Sequence, residues 1–230
     1  MLGAGAIAGA TALGAMARAA GGKSTPRAGQ GKEDVGPGED LMREHGVLRR
    51  VLLIYAEVGR RLESSVDADV NLNLAAVQRS AKLIRRFIED YHERQEEEMV
   101  FPRFERAHRL VELVNVLRAQ HQAGRRVTER IQGLATATGV KSGDGRRRLR
   151  GELASFARMY EPHAAREDTV LFPALHQIVS ASEYDALGED FERREHKVFG
   201  EDGFEHAVSE VDDVERSLGI EDLAQFTPRA

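Results

Sequence analysis

Four stretches of this 230-residue chain carry apolar residues at helical spacing, and each holds one histidine inside its apolar stripe. The first groups Leu41, His45, Leu48, Leu52, Tyr55 and Leu62, and is expected to end near Ser64-Ser65. The second runs from about Leu74 and groups Ala81, Ile84, Ile88, His92 and Met99 until Pro102 interrupts it. The third aligns Leu110, Val114, Leu117, His121, Thr128 and Ile131 before a Gly/Ser/Asp loop at 139–145. The fourth aligns Leu149, Leu153, Phe156, Tyr160, His163 and Val170, with Pro162 and Pro173 expected to bend or segment it. Long amphipathic helices joined by short loops predict an all-α fold, an antiparallel up-down four-helix bundle over residues 38–182. A further helical extension over 183–230 is broken at Gly200-Glu201-Asp202-Gly203.

A lone histidine on an apolar face is usually a core residue satisfied by one hydrogen bond. Four at matched positions, with carboxylates beside them, are different. Glu96 lies four residues after His92 and Glu167 four after His163, so each His–Glu pair shares one helix face about one turn apart. The matches extend further: Phe101-Pro102 and Phe172-Pro173 follow their histidines at the same distance, and His45 and His121 are each followed by Arg-Arg-Val at equal offsets. The chain is thus an internal repeat of two helix pairs, each offering two His and one Glu. Burying these groups is costly unless something pairs them, and a metal pair is the strongest partner available. The arrangement predicts two metals bridged by Glu96 and Glu167 and capped by His45, His92, His121 and His163. The chain has no Cys, which excludes thiolate sites, iron–sulfur clusters and disulfides. Imidazole and carboxylate ligands suit iron, manganese or zinc, and iron is the expected metal.

With these residues in place, the chain resembles the hemerythrin family, in its bacterial HHE cation-binding branch, over about residues 39–180. Members of that family show the order His, H-x-x-x-E, His, then H-x-x-x-E or H-x-x-x-x-D, which His45, His92 with Glu96, His121, and His163 with Glu167 match. Asp168 is the alternative to Glu167. The resemblance implies two iron ions, oxo- or hydroxo-bridged when oxidised, that bind or react with dioxygen or peroxide in sensing, storage or detoxification, with an electron donor that the sequence does not identify. Two alternatives stand beside it: nitric oxide binding or repair of iron centres, and a zinc-holding structural or interaction module. The oxygen carriers of the family use a fifth His four residues after the third-helix His; here that residue is Arg125.

The remaining candidates have plainer readings. Glu93, Glu97, Glu98 and the arginines among them are expected to form a solvated helix face. Tyr91 and Tyr160, next to the histidine level, are expected to pack with a satisfied hydroxyl. His108 and His176 fall off the stripes and are expected at the surface, whereas His196 could fold over the open end of the bundle as a fifth imidazole or an outer hydrogen-bond partner. A formal charge of −5 with acidic and basic runs interspersed predicts no nucleic-acid partner. Residues 1–37 combine a weakly apolar, acid-free start ending in Ala17-Arg18-Ala19 with a Gly-rich linker, as in an export signal. The chain is expected either in the cytoplasm or exported to the periplasm or exterior, without a membrane span in the mature form.

Overall fold

A computed structural model of the protein describes residues 35–63 and 70–228; the candidate export segment lies outside them. Every regular element among the described residues is helical. Helix α1 spans Pro37–Glu63. Helix α2 (Val70–Leu83) continues without a break into π-helical turns over Ile84–His92, a short α-helical turn Glu93–Gln95, further π turns Glu96–Val100 and a last α-helical stretch Phe101–Arg106. Helix α3 is Val111–Leu134. Helix α4 (Gly143–Arg166) likewise passes into π turns over Glu167–Leu171 and an α-helical stretch Phe172–Leu175. Helices α5 (Ala181–Phe199) and α6 (Gly203–Leu218) complete the chain before a short turn at Leu223–Phe226.

The helix ends follow local chemistry. Ser142 caps α4 by accepting the Gly145 N–H at 3.0 Å. Ser180 and Glu183 form a reciprocal capping box at the start of α5. His108 and Leu110 adopt left-handed backbone angles in the tight turn between Arg106 and α3.

The prolines do not interrupt the helices as expected. Pro102 and Pro173 each stand second in an α-helical stretch that follows a π turn, where a missing N–H costs little because the hydrogen-bond register is changing there. Just before them, the N–H groups of Phe101 and Phe172 bond five residues back, to the carbonyls of Glu96 and Glu167. Pro162 lies inside α4 on its exposed side, so the carbonyl it leaves unbonded one turn back can be hydrated.

Helix α1 packs against α2 and α4, and α3 against the same two helices. Helix α6 lies on α1 and α2. The apolar interior falls into two clusters. One holds Val51, Tyr55, Ile84, Phe87, Leu153 and Phe156, the other Leu41, Phe101, Phe104, Leu117, Leu171 and Phe172. Between them comes a layer of buried polar groups that includes all four stripe histidines. No helix of the described residues is long and apolar enough to cross a membrane.

Candidate metal centre

The fold carries four imidazoles, one from each helical rod, to one level of the interior. His45, His92 and His121 are at most 1% exposed, His163 is 3% exposed, and Glu96 and Glu167 are wholly buried. The imidazoles meet in two pairs, with Nε2 atoms 3.1 Å apart between His45 and His92 and 3.3 Å apart between His121 and His163. Each carboxylate reaches both pairs. Glu96 Oε2 lies 3.8 Å from His92 Nε2 and 3.3 Å from His121 Nε2. Glu167 Oε2 lies 3.0 Å from His163 Nε2 and 3.4 Å from His45 Nε2. The six residues form two three-ligand groups, His45–His92–Glu96 and His121–His163–Glu167, each with ligand atoms within 4.8 Å of one another.

The outer nitrogens explain why the inner ones can serve a cation. His92 Nδ1 lies 2.6 Å from Glu44 Oε2, His45 Nδ1 2.7 Å from Asp168 Oδ1, His121 Nδ1 3.1 Å from Glu97 Oε1, and His163 Nδ1 2.9 Å from Gln120 Oε1. Each acceptor favours a proton on Nδ1, so a neutral ring presents its Nε2 lone pair to the centre. Two such lone pairs at about 3 Å repel one another unless a proton or a cation lies between them. All four oxygens of Glu96 and Glu167 are buried without a hydrogen-bond donor. Lone pairs and bare carboxylates converging in a dry interior are unfavourable until a cation pairs them, and four nitrogens with two carboxylates and no sulfur make a donor set that fits iron, manganese or zinc.

The electrostatics divide the rings: burial would lower His45, but the Asp168 and Glu167 carboxylates outweigh it and raise His45 to about 9, so binding a cation there displaces a proton. Burial holds His92 well below the ordinary histidine range and His121 down at about 4, so both are neutral ligands near pH 7. Burial also pushes Glu96 well above its ordinary value. For Glu167 burial acts the same way, but the His163 and His45 imidazoles outweigh it and hold the carboxyl well below.

The outer residues are where the sequence reading needs correction. Glu93 and Glu97 are not on a solvated face. Glu93 is 1% exposed; it accepts a hydrogen bond from the Tyr160 hydroxyl at 2.6 Å and forms an ion pair with Arg125, whose Nη2 lies 2.8 Å away. Glu97 joins His121 to Arg125 Nη1, the latter at 2.8 Å. Only Glu98 of the three is exposed, paired with Arg194 at 2.8 Å. The π turns are the reason, because they widen the helix and rotate residues one position past the α-helical stripe toward α3. One signal was legible: Arg125, one turn beyond His121 on a buried stripe, needs an anion in the interior.

Asp168 belongs to neither ligand group and instead orients His45, with Arg49 bonded to its other oxygen. His196 does not reach the centre. It is exposed on α5, while its neighbour Glu195, about 100° around the helix, turns inward and accepts the Phe204 N–H at 2.7 Å. His108 and His176 are exposed, and His176 stacks on Tyr184. Tyr160 packs with a satisfied hydroxyl, whereas the buried Tyr91 hydroxyl makes no hydrogen bond of ordinary geometry.

Comparison with known proteins places these residues in context. The profile of the hemerythrin HHE cation binding domain matches residues 37–175. Proteins described only as uncharacterized, one from Mycobacterium tuberculosis (strain ATCC 25618 / H37Rv) and one from Mycobacterium bovis (strain ATCC BAA-935 / AF2122/97), are each 48% identical over 227 residues, covering 95% of this chain and 88% of theirs. No solved structure matches the chain.

Proposed function

This chain belongs to the hemerythrin HHE cation-binding family, and from that premise we propose that it is a non-haem di-iron protein that binds or reacts with dioxygen or peroxide. In this reading residues 38–182 form an antiparallel up-down four-helix bundle, with 183–230 as an appended helical segment. Two ions would be held by His45, His92, Glu96, His121, His163 and Glu167, each glutamate standing within reach of both imidazole pairs. The observation that carries the proposal is the pair of buried, donor-free carboxylates, each within 4 Å of an imidazole from both pairs. Bound iron would supply open coordination positions for a small oxidant and electrons for its reduction.

The protein supplies orientation and exclusion of water. Phe172 stacks on His45 with ring centres 5.6 Å apart, and Phe101 on His121 at 5.5 Å. The Phe-Pro element of the internal repeat thus places one aromatic wall against each imidazole pair, fixing a ring and keeping water from that side. Arg125 is engaged by Glu93 and Glu97, so the third helix offers one imidazole to the centre and each ion position receives two. With two imidazoles at each position and no fifth, bound iron would leave room for solvent at both positions, and the reduced protein is expected to react with dioxygen without holding it reversibly.

The test is anaerobic loading with ferrous iron, metal counting, and then exposure to dioxygen, peroxide and nitric oxide in turn while the absorption spectrum is followed. Two irons per chain and rapid colour development with dioxygen or peroxide are expected. A protein that saturates at one ion, is purified with colourless zinc, or responds to nitric oxide alone contradicts the proposal.

A further inference from the structure

The internal repeat extends to the residues that bond the outer nitrogens. Asp168, five residues after His163, bonds His45, and Glu97, five after His92, bonds His121. Arg49, four after His45, neutralises Asp168, just as Arg125, four after His121, neutralises Glu97. The residue preceding His45 bonds His92, and the residue preceding His121 bonds His163. At this last pair of equivalent positions the repeat departs from itself: the acceptor is the carboxylate of Glu44 on one side and the amide of Gln120 on the other.

We propose that this one difference makes the two ion positions unequal, so that the His45–His92 position fills first and binds more tightly, with Gln120 setting the gap. The inference rests on the di-metal reading above. A carboxylate accepting the Nδ1–H draws the proton away from the ring and leaves more electron density on Nε2, so the imidazole is a stronger donor to a cation; a neutral amide orients the ring equally well but polarises it less. Asp168 with Arg49 and Glu97 with Arg125 repeat on the two sides, so Glu44 and Gln120 are where the acceptors of the outer nitrogens differ in chemical class. Both acceptors lie close to their imidazole, 2.6 Å for Glu44 and 2.9 Å for Gln120, so the contrast is one of chemistry.

The experiment titrates the full chain, stripped with a chelator, with ferrous iron under anaerobic conditions and follows heat release. Wild type should show two steps separated by about 10–100-fold in affinity, the usual effect of an outer partner on a metal ligand. Gln120→Glu should tighten the weaker step and bring the two together. Glu44→Gln should weaken the tighter step and bring them together at the lower affinity. Gln120 is only half-buried, so its variant tests the inference even if Glu44→Gln fails to fold. Coincident steps in wild type, or an unchanged separation in Gln120→Glu, overturn the assignment. Saturation at a single ion would be a different failure, removing the di-metal reading itself and this inference with it.

Discussion

The Tyr160 hydroxyl passes directly over Gly124 on its way to Glu93, so closely that a β-carbon at residue 124 would meet the phenolic oxygen at 1.9 Å and two ring carbons within 3 Å. Glycine is required here for the approach of a neighbour rather than for a backbone angle. That bare spot on α3 lets an aromatic ring on α4 bond a carboxylate on the rod that continues α2, and so ties three helices together beside the candidate metal centre.

Replacing Gly124 with alanine should therefore displace the whole ring and leave Glu93 short of a donor. We expect a loss of about 2–4 kcal/mol, from overpacking and a weakened buried hydrogen bond together. Tyr160→Phe, which removes only the hydroxyl, should cost about 1–2 kcal/mol. The double variant should be less damaged than the sum, because Phe relieves the closest contact. Urea unfolding of the four proteins measures this. Strict additivity would show that the two residues do not meet as described.

Neighbouring glutamates should behave very differently. Glu97 bonds His121 and Arg125, and Glu97→Ala should lower ferrous iron affinity by about 10–100-fold. Glu98 makes a surface pair with Arg194, and its removal should leave affinity unchanged. Equal iron affinity in the two variants would mean that the outer bond to His121 contributes nothing to binding.

Asp40 gives the fold a dependence on pH. Burial first, and the nearby Glu44 carboxylate second, push its pKa up from 3.8 to about 7. The folded chain therefore holds this proton more tightly than the unfolded chain does. Ionising Asp40 costs stability that is fully lost above about pH 7 and fully retained below about pH 4. Asp40→Asn should stabilise the protein by roughly 1–2 kcal/mol at pH 8, after allowance for solvent screening, and do nothing near pH 4. Urea melts at the two pH values are the check, and equal effects at both would exclude Asp40 as the cause.

Helix α6 is held to α1 by Arg50, whose Nε lies 3.0 Å from Glu215 Oε1 and whose Nη2 bonds both Asp212 and Glu215. Glu215 is buried, so Arg50→Ala would strand a carboxylate in the interface, at a cost of about 2–4 kcal/mol. Lysine can restore the charge but not the two-pronged contact, so Arg50→Lys should recover only part of the loss. Hydrogen exchange should speed up within Gly203–Leu218 more than in α3. Uniform acceleration along the chain would instead point to global destabilisation.

Residues that act along one helix were legible from spacing. His92 with Glu96 and His163 with Glu167 sit one turn apart whatever surrounds them, and four stripes with one histidine each leave few ways to bury polar groups other than together. The repeat even implied which helices correspond. What spacing could not say is where residues just off the stripe point. Glu93 and Glu97 read as surface positions on a regular helix, yet the π turns at Ile84–His92 and Glu96–Val100 rotate them inward, where Arg125 and Tyr160 from other helices meet them. Glu44 and Gln120 likewise look like ordinary neighbours of stripe histidines until the π turns after α2 and helix α4 set His92 and His163 against them. Helical period is a property of the local backbone and can be read from the chain alone. The partner of a buried imidazole or carboxylate is chosen by whichever helix packs across from it, and so depends on the whole fold.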